Sequence, residues 1–227
     1  MVDDIAMRQN SGHFDGLNPP HLVLLGDSIF DNAAYTSGEP DVVTHLRTLL
    51  PAGAHATLLA VDGAITRSMA EQVAHIPEDA THLVVSIGGN DALGFLDLLD
   101  APATSTADAL RLFGEAVGRF ETNYRAAVRP VLDRGLPTTL CTIYNGAFEE
   151  PDLVARARIA LMMFNDVILR VAFEHHASAI DLRLICNERA DYANPIEPSG
   201  QGGMKIATAI VRATGILPAG GHSVTFC

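Results

Sequence analysis

The chain has 227 residues, 48% of them apolar, with 27 acidic against 15 basic side chains and a formal net charge of −12. That length holds one domain with a sizeable core and leaves little room for a second, and the apolar content excludes a chain disordered throughout. The acidity excludes nucleic acid and anionic membrane as partners, because both need a basic face and Lys205 is the only lysine.

No apolar run approaches the roughly 18 residues of a membrane span. The first twenty residues mix Asp3, Asp4, Arg8, Gln9 and Asn10 with a few apolar positions. They lack the basic start and apolar stretch of a secretory signal, which predicts a cytoplasmic protein. Cys141, Cys186 and Cys227 are far apart and without metal-ligand spacing, so they are expected to be free thiols and to form neither a disulfide nor a zinc site.

Apolar runs of strand length alternate with helical patterns, the signature of βα units around a parallel sheet. His21-Leu22-Val23-Leu24-Leu25 reads as a buried first strand ending at Gly26. A helix follows through Val42, Val43, Leu46, Leu49 and Leu50, between Pro40 and Pro51. Thr57 to Val61 is predicted as strand two and His82 to Ile87 as strand three. The spacing of Leu110, Phe113, Val117, Phe120, Tyr124, Val128 and Val131 predicts a long helix that Gly135 ends. Strand four runs from Thr138 to Tyr144, and a helix from Leu153 toward His175 and His176, which sit where a helix end favours them. A fifth strand covers Ser178 to Leu182, and a last helix about 202–213. No internal repeat or linker interrupts this order, so a single domain over 1–227 is expected, with its core at about 21–213.

Ligands of an open parallel sheet bind outside the carboxyl ends of the strands. Three segments found there carry distinctive chemistry. In Gly26-Asp27-Ser28, the serine stands where a strand gives way to a turn, so its hydroxyl can project into the crevice; it could equally cap the next turn. Gly63, past strand two, allows close backbone approach, as any turn glycine does. Gly88-Gly89-Asn90-Asp91 follows strand three, where Asn90 offers an amide N–H and either polar residue could cap a helix. The order of the three is more informative than any one of them.

In that order, Gly26-Asp27-Ser28, Gly63 and Gly88-Gly89-Asn90-Asp91 resemble the first three blocks of the SGNH/GDSL hydrolases, and the resemblance covers about 21–213. It implies a flavodoxin-like three-layer α/β/α sandwich with a five-stranded parallel sheet. It implies hydrolysis of a small-molecule ester with no metal or organic cofactor. Ser28 would be the nucleophile, with its own N–H, the Gly63 N–H and the Asn90 amide as oxyanion donors. Asp27, Asp91 and Tyr144 are expected to contact substrate, and Asn145 and Phe148 to line the pocket beside Tyr144.

The family's fourth element, Asp-x-x-His-Pro, is altered. The stretch here reads Asn194-Pro195-Ile196-Glu197-Pro198, followed by Gly202 and the last helix, and no histidine lies between His176 and His222. Glu197 takes the histidine position and Asn194 the aspartate position. A serine needs a neighbouring base, and a glutamate serves if burial raises its pKa above about 4.3. Asn194 then reads as its neutral partner, since a second carboxylate would repel it. Three readings stay open: a hydrolase with Glu197 as base, a catalytically silent protein of this fold that binds an acyl or sugar ester, and a hydrolase that recruits His222 from the tail. Nucleotide binding is disfavoured, because neither Gly-x-Gly-x-x-Gly nor the Walker pattern occurs.

Overall fold

The computed structural model describes residues 19–216. Five parallel strands, β1 (His21–Gly26), β2 (His55–Leu58), β3 (His82–Ser86), β4 (Thr138–Cys141) and β5 (Ser178–Ile180), form one sheet in the order β2-β1-β3-β4-β5. Every residue of β1 is buried. That is why its sequence is a continuous apolar run rather than an alternation: a parallel strand covered on both faces has no solvent side.

Side chains of β1 alternate between two cores. Val23 and Leu25 join Leu83, Val85, Phe120, Tyr124, Phe164 and Ile168 on one face. Leu22 and Leu24 join Val84, Leu46, Leu182, Ile206 and Ile210 on the other. The first face is covered by α2 (Met69–Ala74), α4 (Thr106–Leu132) and α5 (Pro151–Glu174). The second is covered by α1 (Val42–Leu49), α6 (Leu182–Ile185) and α7 (Gly200–Ala213). A short α3 (Gly89–Leu93) follows β3 directly. This is the expected three-layer sandwich with its five-stranded parallel sheet.

The helix starts follow local chemistry. Asp41, Ser105 and Ser199 cap α1, α4 and α7 by accepting backbone N–H groups of Thr44, Asp108 and Gly202. The Ser199 cap places the start of α7 at Gly200, two residues earlier than its apolar spacing indicates. His175 is the C-cap of α5, and His176 takes the left-handed conformation at φ 54° as the chain leaves the helix. The strand order reverses direction at β1, with β2 on one side and β3 on the other, so the loops after β1 and β3 border one crevice.

Candidate active site

The site is built first by glycine. Gly26 ends β1 at φ +132°, and a Cβ placed on it would lie 1.7 Å from the Ser86 carbonyl oxygen, so no other residue fits between the ends of β1 and β3. With β1 and β3 this close, Asp27 N–H donates to Ser86 O at 3.0 Å and the chain turns at Ser28. A feature not read from the sequence completes the turn: Gln72 of α2 accepts Gly26 N–H at 2.7 Å and donates to Gly26 O at 2.8 Å. Its buried amide thus substitutes for a neighbouring strand where β1 leaves the sheet. Asn165 of α5 does the same for Ile143 beyond β4, accepting its N–H at 2.7 Å and donating to its C=O at 2.8 Å.

Ser28 is buried, and its hydroxyl donates to Glu197 Oε1 at 3.1 Å across 169 residues of sequence. The loop that carries Glu197 is tied from several sides. Tyr144 donates its hydroxyl to Ile196 O, Ala147 N–H donates to Pro195 O at 2.8 Å, and Asn32 donates its amide to Pro198 O at 3.1 Å. Asn32 also accepts Val42 N–H at 3.0 Å and so couples this loop to the start of α1. Asn194 Oδ1 accepts the N–H groups of Ile196 and Glu197, each at 2.9 Å. The neutral partner expected for the Glu197 carboxylate therefore acts on the Glu197 backbone instead.

Glu197 is only 5% exposed, and its Oε2 makes no hydrogen bond among the described residues. Burial is the main reason that its pKa rises to about 7; the Ser28 hydroxyl opposes the shift and the charge of Asp62 adds to it. Asp27 is likewise pushed up to about 7, first by burial, with its hydrogen bond from Ile29 N–H opposing and the charges of Glu197 and Asp91 adding. Tyr144 is raised well above its ordinary range, chiefly by burial.

Ser28, Asp27, Asn90, Tyr144, Asn145, Phe148 and Glu197 all line one cleft, partly open to solvent, with an accessible volume of about 100 Å³. Much of its lining is apolar: Phe95, Leu99, Phe113, Leu161 and Phe164 come from α4, α5 and the segment after α3. Gly63 is not part of the lining, yet its loop is fastened to it, because Asn90 Nδ2 donates to Ala64 O at 2.9 Å. Gly63 itself adopts φ +74°, a conformation that side-chain-bearing residues disfavour. The N–H groups of Ser28 and Gly63 make no hydrogen bond among the described residues. Asp91 accepts both the N–H and the hydroxyl of Thr66, at 2.9 and 2.6 Å, so its oxygens are occupied in holding that loop. Near Glu197, Asp62 accepts the Tyr35 hydroxyl at 2.7 Å and donates its N–H to Asp31 at 2.9 Å. Cys141 and Cys186 are free and buried, whereas Cys227 and His222 lie outside the described residues. Among the described residues, the one grouping of three metal-ligating side chains lies away from the cleft.

No helix among the described residues is long and apolar enough to cross a membrane. Among curated protein sequences, none matches the chain. Solved structures do. An extracellular lipase from Streptomyces rimosus superposes with a TM-score of 0.61 at 17% identity, covering 86% of this chain and 99% of its own. The lipase Lip_vut3 from a goat rumen metagenome gives 0.64 at 19% identity, over 86% and 97%. A variant of an acetyl xylan esterase from Geobacillus stearothermophilus gives 0.62 at 19%, over 90% and 100%. At these identities the likeness establishes the fold. Residues 24–202 match the GDSL-like Lipase/Acylhydrolase family, from within β1 to the first turn of α7, and the chain therefore belongs to that family of ester hydrolases.

Proposed function

We propose that the protein is a serine ester hydrolase in which Glu197 replaces the histidine base, and that its substrate carries an apolar group. The hydrogen bond from Ser28 Oγ to the buried Glu197 Oε1 supports this reading most directly. Ser28 Oγ attacks the ester carbonyl carbon while its proton passes to Glu197. The carbonyl oxygen becomes an oxyanion that takes hydrogen bonds from the Ser28 and Gly63 N–H groups and the free N–H of the Asn90 amide. Collapse of this intermediate expels the alkoxide, which takes the proton from Glu197 and leaves an acyl-serine. Water then attacks the acyl carbon, with its proton going to Glu197; the bond from Ser28 Oγ to the acyl carbon breaks, Ser28 takes that proton back, and the carboxylic acid leaves.

A carboxylate with its ordinary pKa is too weak a base for this step at neutral pH. Raised to about 7, Glu197 matches the working range of a general base. Asn194 is a positioning residue that presents Glu197 through the backbone. The apolar cleft wall favours an aliphatic or aromatic group on the ester over a sugar, which would leave its hydroxyls without partners there. Reaction with an alkyl fluorophosphonate, followed by intact mass and peptide mapping, tests the reading. Stoichiometric addition at Ser28 is expected; a folded protein that stays unlabelled while it binds a non-hydrolysable ester analogue would be a binding protein of this fold instead.

A further inference from the structure

Three strands begin with histidine: His21 in β1, His55 in β2 and His82 in β3. These starts lie at the opposite end of the sheet from Ser28, about 16 Å away along β1 at 3.3 Å per residue. His21 and His55 are register partners, so they stand side by side on one face. Asp79, in the turn before β3, brings its carboxylate to both: Oδ1 is 3.0 Å from His21 Nδ1, and Oδ2 is 3.8 Å from His55 Nε2. One nitrogen of each ring and one carboxylate oxygen fall within 4.8 Å of one another.

The details of His21 fit a ligand better than a plain ion pair. The residue is 3% exposed. Its Nε2 is 2.8 Å from the Thr57 hydroxyl, an arrangement that can hold the proton on Nε2 and leave the Nδ1 lone pair free for a ligand bond. Although an Asp79 oxygen is 3.0 Å away, buried Nδ1 makes no hydrogen bond among the described residues, because that oxygen lies off the donor direction of the ring. A metal ion sits on the lone-pair axis and keeps its other ligands off it. With bonds of about 2.0–2.1 Å, neighbouring ligand atoms of a tetrahedral zinc stand about 3.3 Å apart, between the two separations seen here.

We propose that His21 Nδ1, His55 Nε2 and an Asp79 oxygen form a binding site for a divalent transition cation of the zinc type, with solvent completing the coordination. Imidazole and carboxylate together suit such an ion, whereas calcium and magnesium prefer all-oxygen sites. The His21 and His55 rings stack with centroids 3.8 Å apart. Coordination turns the His55 ring out of that stack, a movement open to it because its side chain is 52% exposed on an edge strand. The bound ion staples β1, β2 and the entry to β3. Its role is structural, since the reacting groups lie at the other end of the sheet.

Titration of chelator-treated protein with ZnCl2 tests this, read by thermal unfolding and by calorimetry, with CoCl2 as a spectroscopic probe. Saturating zinc is expected to raise Tm by about 5 °C or more, and cobalt to give the visible d–d absorption of a low-symmetry site. His55→Ala and Asp79→Ala change exposed side chains, so both should fold and lose the shift and the cobalt band. His75→Ala, at another exposed histidine, should keep both. Absence of a zinc-dependent shift or a cobalt band in the wild type would overturn the site, as would a shift that survives in His55→Ala and Asp79→Ala.

Discussion

Asn194 holds Glu197 by the main chain: its Oδ1 accepts the Glu197 N–H at 2.9 Å, together with that of Ile196, while the carboxylate of Glu197 points to Ser28. In the proposed mechanism this local turn positions the glutamate as a charged partner positions a histidine, but without a second negative charge. An aspartate side chain could accept the same two N–H groups.

From this follows a pair of variants. We predict that Asn194→Ala lowers the rate of fluorophosphonate labelling about 10- to 100-fold, the scale at which small misplacements of a catalytic group act. Asn194→Asp should retain most of the rate, because it keeps the acceptor. If alanine has no effect, Tyr144, Ala147 and Asn32 alone suffice to place the loop.

Stability should depend on pH in a way set by the buried carboxyls. Glu197 rises from 4.5 to about 7 on folding, and Asp27 from 3.8 to about 7. The folded chain therefore holds protons that the unfolded chain has released, and stability falls as pH rises from about 4 through about 7. The penalty is complete above the folded values and absent below the unfolded ones. We predict that Glu197→Gln and Asp27→Asn each raise Tm at pH 8 and that the gain shrinks toward pH 4. A gain that is independent of pH would assign the effect to packing.

Gln72 offers a test of the turn that bears Ser28. Gln72→Leu leaves the Gly26 N–H without a partner and its C=O with the Val61 N–H alone, and an orphaned buried donor costs about 1–3 kcal/mol. The expected loss is about 1–3 kcal/mol in urea unfolding. A loss below about 1 kcal/mol would mean that solvent reaches Gly26 and replaces the amide.

Gln72 also marks the limit of what the sequence revealed. Strands and long helices were legible because burial leaves continuous apolar runs such as Leu22–Leu25 and helical apolar spacing such as Phe120–Val131. The buried amides of Gln72, Asn165 and Asn32 break that pattern and look like solvent-facing positions, since their partners are backbone groups far along the chain. The short helices α2, α3 and α6 are too brief for a periodicity to show. The second strand was placed too late, because Leu59, Ala60 and Val61 are apolar but donate to Leu24 O and Gly26 O as the chain bends away from the sheet. The positions of Ser28, Asn90 and Glu197 were readable from motif order. That Asn194 works through the backbone was not, because side-chain direction leaves no mark in residue spacing.

The cleft wall makes a prediction about the ester. With Phe113, Leu161 and Phe164 lining the same cleft as Ser28, lengthening an aliphatic chain should raise kcat/KM until the cleft is filled, by about fourfold for each methylene buried at about 0.8 kcal/mol. Ala160→Phe on α5 shortens the cleft and should shift preference toward shorter chains, read on two ester series that vary the acyl and the alcohol part separately. The series that responds identifies the part lodged there. A flat profile in both series would contradict an apolar substrate while leaving the Ser28 chemistry untouched.

In the proposed mechanism Glu197 is the base for Ser28, and the sharpest test is the pH dependence of Ser28 labelling. Labelling by a neutral fluorophosphonate should rise with pH through about 7, as Glu197 loses its proton, and then level off. Glu197→Gln should label about 100- to 10,000-fold more slowly and without that step. A glutamine variant that labels at the wild-type rate, with the same inflection, would show that Glu197 is not the base.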